Sequence, residues 1–157
     1  MIKIIDNALP LEVCRFLNRE VLNMPMFLHS SLGINDFKSN FFASDFNLND
    51  FFTKFICEEL IKNVSLKKIH VLRCYANIHF QNQSGEWHVD DGDLTFVWMI
   101  SPTLKPGDGC FEIKNGSKID FVNNRLIIFD PKTLHRGNHS IETFPRITIA
   151  LKTQAVE

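Results

Sequence analysis

The chain has 157 residues, 45% of them hydrophobic and 22% charged, with a formal net charge of −1. This length fits one compact domain that buries a core without disulfides. Basic residues spread along the chain weigh against a nucleic-acid partner, which needs a basic stripe for phosphate contacts, and the longest apolar run, residues 96–100, is too short to cross a bilayer.

Residues 2–5, Ile-Lys-Ile-Ile, read as a short strand. The opening MIKIIDNALP carries Asp6 and no long apolar stretch, so it does not read as a signal peptide, and a cytoplasmic location is expected. Pro10 can open a helix to Asn23, because Leu11, Cys14, Leu17, Val21 and Leu22 recur at helical spacing. Asn47 or Asn49 is expected to cap a second helix. Its apolar stripe would be Phe51, Phe52, Phe55, Ile56, Leu60 and Ile61. Between the two helices, residues 37–46 are Phe-rich without a clear period. With 15 Phe against one Tyr, the core is expected to be rich in aromatic rings.

After residue 67 the pattern changes to strands, at residues 68–80, 94–100, 110–113, 119–122, 126–129 and 146–151. Turn signals separate them, among them Asp91-Gly92, Pro106-Gly107, Asn115-Gly116 and Asp130-Pro131. About eight short strands in roughly 85 residues predict a sandwich or barrel with flanking helices. The expected organisation is a single domain over 1–157, with a mainly helical part, 1–66, packed on a β core, 67–152. Cys14, Cys57, Cys74 and Cys110 form no CxxC pair, which argues against a zinc–cysteine site and for free, buried thiols.

Metal chemistry needs ligands that converge. On a strand, His88 and Asp90 point to one face and Val89 to the other. The Asp91-Gly92 turn would place this pair at a strand end. Two histidines and a carboxylate on one face of an ion, with the opposite face open, make the site of a mononuclear iron oxygenase. The third ligand must come from elsewhere. His135, after the run Leu126-Ile-Ile-Phe129, is the leading candidate, and His139 shares its parity as a rival. His29, His70 and His79 read as structural or surface residues. Asp90, Asp91 and Asp93 around Gly92 lack the spacing and distal Glu of a calcium loop.

A second group lies on predicted strands. Arg146 and Thr148 share one face of an otherwise apolar strand, where a guanidinium beside a hydroxyl can receive a carboxylate. The alternative is an arginine on the solvent face of an edge strand. Upstream, Arg73, Tyr75, Asn77 and His79 share one parity, so Tyr75 could donate into the same pocket or stand on a half-exposed strand.

Together these residues resemble the 2-oxoglutarate/Fe(II)-dependent dioxygenases, in particular the prolyl 4-hydroxylase-like branch and its small stand-alone microbial and viral members. The matching pieces run in order from Arg73-Cys-Tyr75-Ala-Asn77 through Gly85-Glu-Trp-His88-Val-Asp90, Gly107-Asp-Gly-Cys-Phe-Glu112, Asn124-Arg-Leu-Ile-Ile-Phe-Asp130 and Leu134-His-Arg-Gly137 to Arg146-Ile-Thr-Ile-Ala-Leu-Lys152. The likeness implies a double-stranded β-helix of jelly-roll, cupin-like type. It implies His88, Asp90 and His135 as catalytic Fe(II) ligands, and Arg146, with Thr148, Tyr75 and Asn77, as the binding set for 2-oxoglutarate. Neighbouring first and last core strands would bring Tyr75 beside Arg146. Dioxygen would be the second cosubstrate, with ascorbate as a candidate reductant.

The chain departs from the family in two places. Arg146 stands where animal-type prolyl hydroxylases usually carry lysine, and Gly107-Asp-Gly109-Cys replaces a Gly-Gly-acidic run. The expected reaction is hydroxylation of an unactivated C–H bond, with a prolyl residue in a peptide or protein as first candidate substrate and Arg136 as a candidate substrate contact. Trp87, Phe96, Trp98 and Leu134 are candidate site lining, with core packing as the alternative. Three other readings stay open: a hydroxylase of a free amino acid or other small molecule, a cupin-like metal enzyme that needs no 2-oxoglutarate, and a non-catalytic β-sandwich that binds a partner. The oligomeric state is not legible.

Overall fold

In a computed structural model that describes residues 2–30, 40–63 and 69–156, the strands form two facing sheets. The elements in chain order are β1 (Ile2–Ile5), α1 (Leu11–Glu20), β2 (Phe27–Ser30), β3 (Asn40–Asp45), α2 (Phe51–Ile61), β4 (Ile69–His79), β5 (Leu94–Met99), β6 (Phe111–Ile113), β7 (Lys118–Ile119), β8 (Arg125–Phe129), β9 (His135–Gly137) and β10 (Arg146–Ala155). The large sheet has the order β1-β8-β5-β10-β4-β3-β2, and the small one β7-β6-β9. Residues 85–90 extend the small sheet, because Gly85 donates to Gly137 O and His88 exchanges backbone hydrogen bonds with His135. From β4 onward the chain therefore crosses repeatedly between the sheets, through residues 85–90, β5, the β6–β7 hairpin, β8, β9 and β10, as in a jelly roll.

Strand periodicity divides the large sheet into two faces. Cys74, Ala76 and Ile78 of β4, Phe96 and Trp98 of β5, Leu126 and Ile128 of β8, and Ile147, Ile149 and Leu151 of β10 point to one face. There they form a core with Cys14, Leu17 and Val21 of the α1 region and Ile56, Cys57 and Leu60 of α2. The opposite parity faces the small sheet. At the β5–β8 side it is apolar, with Val97, Met99, Ile127 and Phe129 packed on Phe111, Ile113, Ile119 and Phe121. At the β4–β10 side it is polar and borders a cavity. All four cysteines are free and buried, as the sequence predicts.

Three sequence expectations change. Asp50, not Asn47 or Asn49, caps α2: its carboxylate accepts from Phe52 N at 3.0 Å and Thr53 N at 3.1 Å. The buried stripe of α2 is Thr53, Ile56, Cys57 and Leu60 at i, i+3, i+4 and i+7. Phe51, which opens the helix, is 83% exposed and Phe55 37% exposed, so neither joins that stripe. The Phe-rich segment holds strand β3 from Asn40 onward, and β2 and β9 were not foreseen; Phe37, Lys68 and the expected boundary at residues 66 and 67 lie outside the described residues. β1 joins one end of the large sheet, and β3 and β2 the other.

Asn124 ties the N-terminal segment to this sheet. It lies 2% exposed at φ 63°. It accepts from Trp98 Nε1 at 2.9 Å and Leu9 N at 3.2 Å, and donates to Leu9 O at 2.6 Å. Asn124→Ala leaves the Trp98 indole N–H and the Leu9 N–H and C=O without this partner, and alanine adopts the left-handed region less readily than asparagine. Chemical denaturation should show a loss of about 3 kcal/mol.

Candidate metal and carboxylate site

A cavity of about 670 Å³ opens between the two sheets at the β4–β10 side. His88, Asp90 and His135 stand together in its wall, with candidate ligand atoms all within 4.8 Å of one another. The backbone builds this arrangement. Reciprocal hydrogen bonds of 3.0 Å between His88 and His135 put the two imidazoles side by side, ring centres 4.3 Å apart. Asp90, two residues on from His88, faces the same way, its N–H bound to Pro131 O at 2.8 Å. Asp90 Oδ1 lies 3.6 Å from His88 Nε2, and Oδ2 lies 3.5 Å from His135 Nε2.

The donor chemistry of these three side chains fits a divalent metal. His88 Nδ1 lies 2.8 Å from Glu86 O, and His135 Nδ1 lies 2.8 Å from Thr133 O. In each ring Nδ1 is the donor, which leaves the Nε2 lone pair directed at the shared space. Burial, and then the neighbouring His88, push the His135 pKa down to about 4, so this imidazole is neutral as a ligand must be. Burial alone would raise the Asp90 pKa; Lys152 and the two imidazoles more than offset it, and the carboxyl stays below its ordinary value. His88 is the exposed member, with a side chain 43% accessible against 5% for Asp90 and His135, so the cluster has one open side.

Further along the cavity stands Arg146, 2% exposed. Its Nε donates to Gly109 O at 2.6 Å, and the guanidinium carbon lies 5.0 Å from the centre of the Phe121 ring. Among the described residues no carboxylate pairs with it. Burial without an anion lowers its pKa to about 10. Two glycines make room for it. A Cβ on Gly137 would stand 3.0 Å from Nη1 and 3.2 Å from Nη2. Gly109 has φ +54°, and a Cβ there would collide with Leu104 and stand 3.2 Å from Arg146 Cδ. The arrangement can receive an anion: a cation held in place, short of a counter-charge, in a cradle that side chains would fill.

Thr148, Tyr75 and Asn77 line the same cavity. The β4–β10 register pairs Arg146 with His79, Thr148 with Asn77 and Ala150 with Tyr75. Tyr75 is thus four residues along from the position opposite Arg146, and His79 occupies that position. The expectation of Tyr75 beside Arg146 is corrected by this register. His79, which the sequence offers only as structural, is 4% exposed, lines the cavity, and has an Nδ1 without a hydrogen-bond partner among the described residues. Burial, and then the Arg146 charge, lower its pKa to about 3.

Other candidates lie elsewhere. His139 is exposed and outside the cluster. Arg136 follows His135 on the strand and so points to the outer face of the small sheet. There its Nε donates to Glu112 Oε2 at 2.7 Å, and its guanidinium carbon lies 4.7 Å from the centre of the Trp87 ring. Phe96 and Trp98 belong to the helix-side core, and neither Trp87 nor Leu134 lines the cavity. Asp91 pairs with Arg73 at 2.5 Å, and Asp93 accepts from Ala155 N at 2.9 Å, so both hold local structure. His70 is exposed, and the side chain of His29 is outside the described residues. Sequence reasoning gave no role to Lys152, although its shared parity with Arg146 and Thr148 was a readable signal.

A buried guanidinium without a counter-ion costs stability in the ligand-free protein. Arg146→Met keeps most of the volume and removes the charge. Denaturant titration of the ligand-free chain should show a gain of about 2 kcal/mol, and an unchanged or lower stability would mean the guanidinium is better compensated than its contacts indicate.

No family model matches this chain, and no curated protein matches its sequence. Its fold, however, has many solved counterparts. A viral collagen prolyl hydroxylase from Paramecium Bursaria Chlorella virus-1, in a 2-oxoglutarate complex, superposes with a TM-score of 0.73 at 16% identity, over 99% of this chain and 96% of that one. A Pseudomonas putida prolyl-4-hydroxylase gives 0.71 at 11% identity, over 96% and 91%. HygX from Streptomyces hygroscopicus, with nickel and 2-oxoglutarate bound, gives 0.71 at 8% identity, over 96% and 81%. The chain therefore has the jelly-roll fold shared by the prolyl hydroxylases and other 2OG-Fe(II) oxygenases.

Proposed function

We propose that this protein is a 2-oxoglutarate- and Fe(II)-dependent dioxygenase that hydroxylates an unactivated C–H bond, with a prolyl residue in a peptide as its substrate class. The observation that carries the reading is one cavity holding both a His-Asp-His cluster and a buried, uncompensated Arg146. A cupin-like metal enzyme without 2-oxoglutarate would need the first and leave the second without a purpose. Likeness in fold to prolyl hydroxylases supports the substrate class.

In this reading His88, Asp90 and His135 hold the metal, their Nε2 and carboxylate atoms already directed inward. Arg146 pairs with the distal carboxylate of 2-oxoglutarate, and Thr148, Asn77 and Tyr75 orient the rest of that molecule. Bound iron with 2-oxoglutarate supplies the activation of dioxygen and the oxidising power for C–H hydroxylation. Phe111, Val97 and Ala150 in the cavity wall keep water from the reacting groups. The exposed side of His88, next to Val89 at 51% exposure, leaves room for a bulky substrate such as a peptide.

The test is Fe(II)-dependent conversion of 2-oxoglutarate to succinate, with ascorbate present, in the absence and presence of a proline-containing peptide or free proline. Turnover stimulated by the peptide, with one oxygen added to it, is the expected result; no succinate from iron-loaded protein would refute the class. His135→Ala should abolish metal binding and turnover, while His139→Ala should leave both intact. Arg146→Ala should raise the KM for 2-oxoglutarate about 100-fold, the loss of a charge-assisted bidentate contact, with metal affinity unchanged.

A further inference from the structure

Lys152 is a buried charge that this reading does not use. It stands on β10 with a side chain 3% accessible, and its Nζ contacts Asp90 Oδ2. Thr95 Oγ1 donates to the same oxygen at 2.9 Å. Asp90 Oδ1 is turned to His88. Lys152 Nζ also lies 5.8 Å from the centre of the Tyr75 ring. Its strand partner Arg73 is engaged by Asp91. Next to this pair the β4–β10 register shifts, with Thr153 opposite Val71, so Leu72 is the extra residue of a β-bulge. Bulges of this kind re-aim side chains beside sites.

We propose that Lys152 is a positioning residue that makes metal and 2-oxoglutarate bind interdependently: it holds Asp90 through Oδ2, leaving Oδ1 for the metal, and by neutralising Asp90 it leaves a bound divalent ion in need of the anionic cosubstrate. This rests on the 2-oxoglutarate reading above.

The charges explain the effect. In the ligand-free site Asp90 and Lys152 cancel. A divalent ion then adds two positive charges among neutral imidazoles, and Lys152 repels it across a short, poorly screened distance. Metal alone binds weakly for that reason. 2-Oxoglutarate brings two negative charges, one for Arg146 and one beside the ion, and so offsets part of this excess; each ligand then strengthens the other by the same factor. Without Lys152 the Asp90 carboxylate would meet the ion uncompensated. Metal alone would bind more tightly, and the cosubstrate would add less. A lysine that only filled space would produce neither change.

The experiment is calorimetric titration of Mn(II), as an iron surrogate, into the full chain with and without saturating 2-oxoglutarate. Wild type, Lys152→Met and Lys152→Arg are compared, with Lys152→Gln replacing the Met variant if that one does not fold. Lys152→Met should bind Mn(II) alone about tenfold more tightly, and the enhancement by 2-oxoglutarate should fall by about the same factor. Lys152→Arg, which keeps the charge, should retain the wild-type enhancement. Coupling that survives Lys152→Met, or Mn(II) affinity that is unchanged or weaker in it, overturns the role of Lys152 alone. Wild type that binds Mn(II) with no effect of 2-oxoglutarate overturns the cosubstrate reading, and the coupling with it.

Discussion

The pairing of β4 with β10 is the constraint on which the rest depends. These strands are far apart in sequence yet run antiparallel side by side, with Arg146 opposite His79 and Ala155 opposite Ile69. The pairing closes the large sheet between β5 on one side and β3 on the other. It also fixes parity. Once Ile147, Ile149 and Leu151 must face the helices, Arg146, Thr148, Ala150 and Lys152 have to face the cavity. A one-residue slip would bury the charges in the helix-side core and turn the isoleucines into the site.

The cavity concentrates charge where charge is costly. Asp90 and Lys152 share one solution: each is almost fully buried, and each compensates the other, with Thr95 supplying a further hydrogen bond. Arg146 is treated differently. It has a backbone carbonyl, an aromatic face and two glycines around it, but no anion among the described residues. The protein tolerates that cost because the large helix-side core, with Trp98, Phe96 and Ile78 fully buried, stabilises the sheet that carries the arginine.

The small sheet supplies the other half of the site and has few residues with which to hold it. Its inner face carries His135 stacked on Phe111, ring centres 5.1 Å apart, with Phe129 at 4.7 Å. Its outer face is tied by Glu112, which accepts from Arg136 Nε, Lys118 Nζ and Asn138 Nδ2 at 2.7, 2.9 and 3.1 Å. Arg136 thus supports His135 from behind instead of reaching for substrate. Alternation forces that outcome, since the residue after an inward-facing ligand on a strand must point outward.

The sequence by itself determined the spacing of His88 and Asp90, the shared face of Arg146 and Thr148, the helix at Pro10 and the strand-rich second half. All of these follow from local periodicity, which a single segment carries. It also held the resemblance that made a jelly roll the expected fold. The cap of α2 was missed because Asn47, Asn49 and Asp50 are equally able acceptors, and only the path of the chain selects among them. Only the tertiary structure decided that His135 and not His139 meets Asp90, that His79 and not Tyr75 faces Arg146, and that Lys152 lies against Asp90. These are contacts between strands distant in sequence. Their register is set by how the two sheets bury their apolar faces together, and no single segment contains that information.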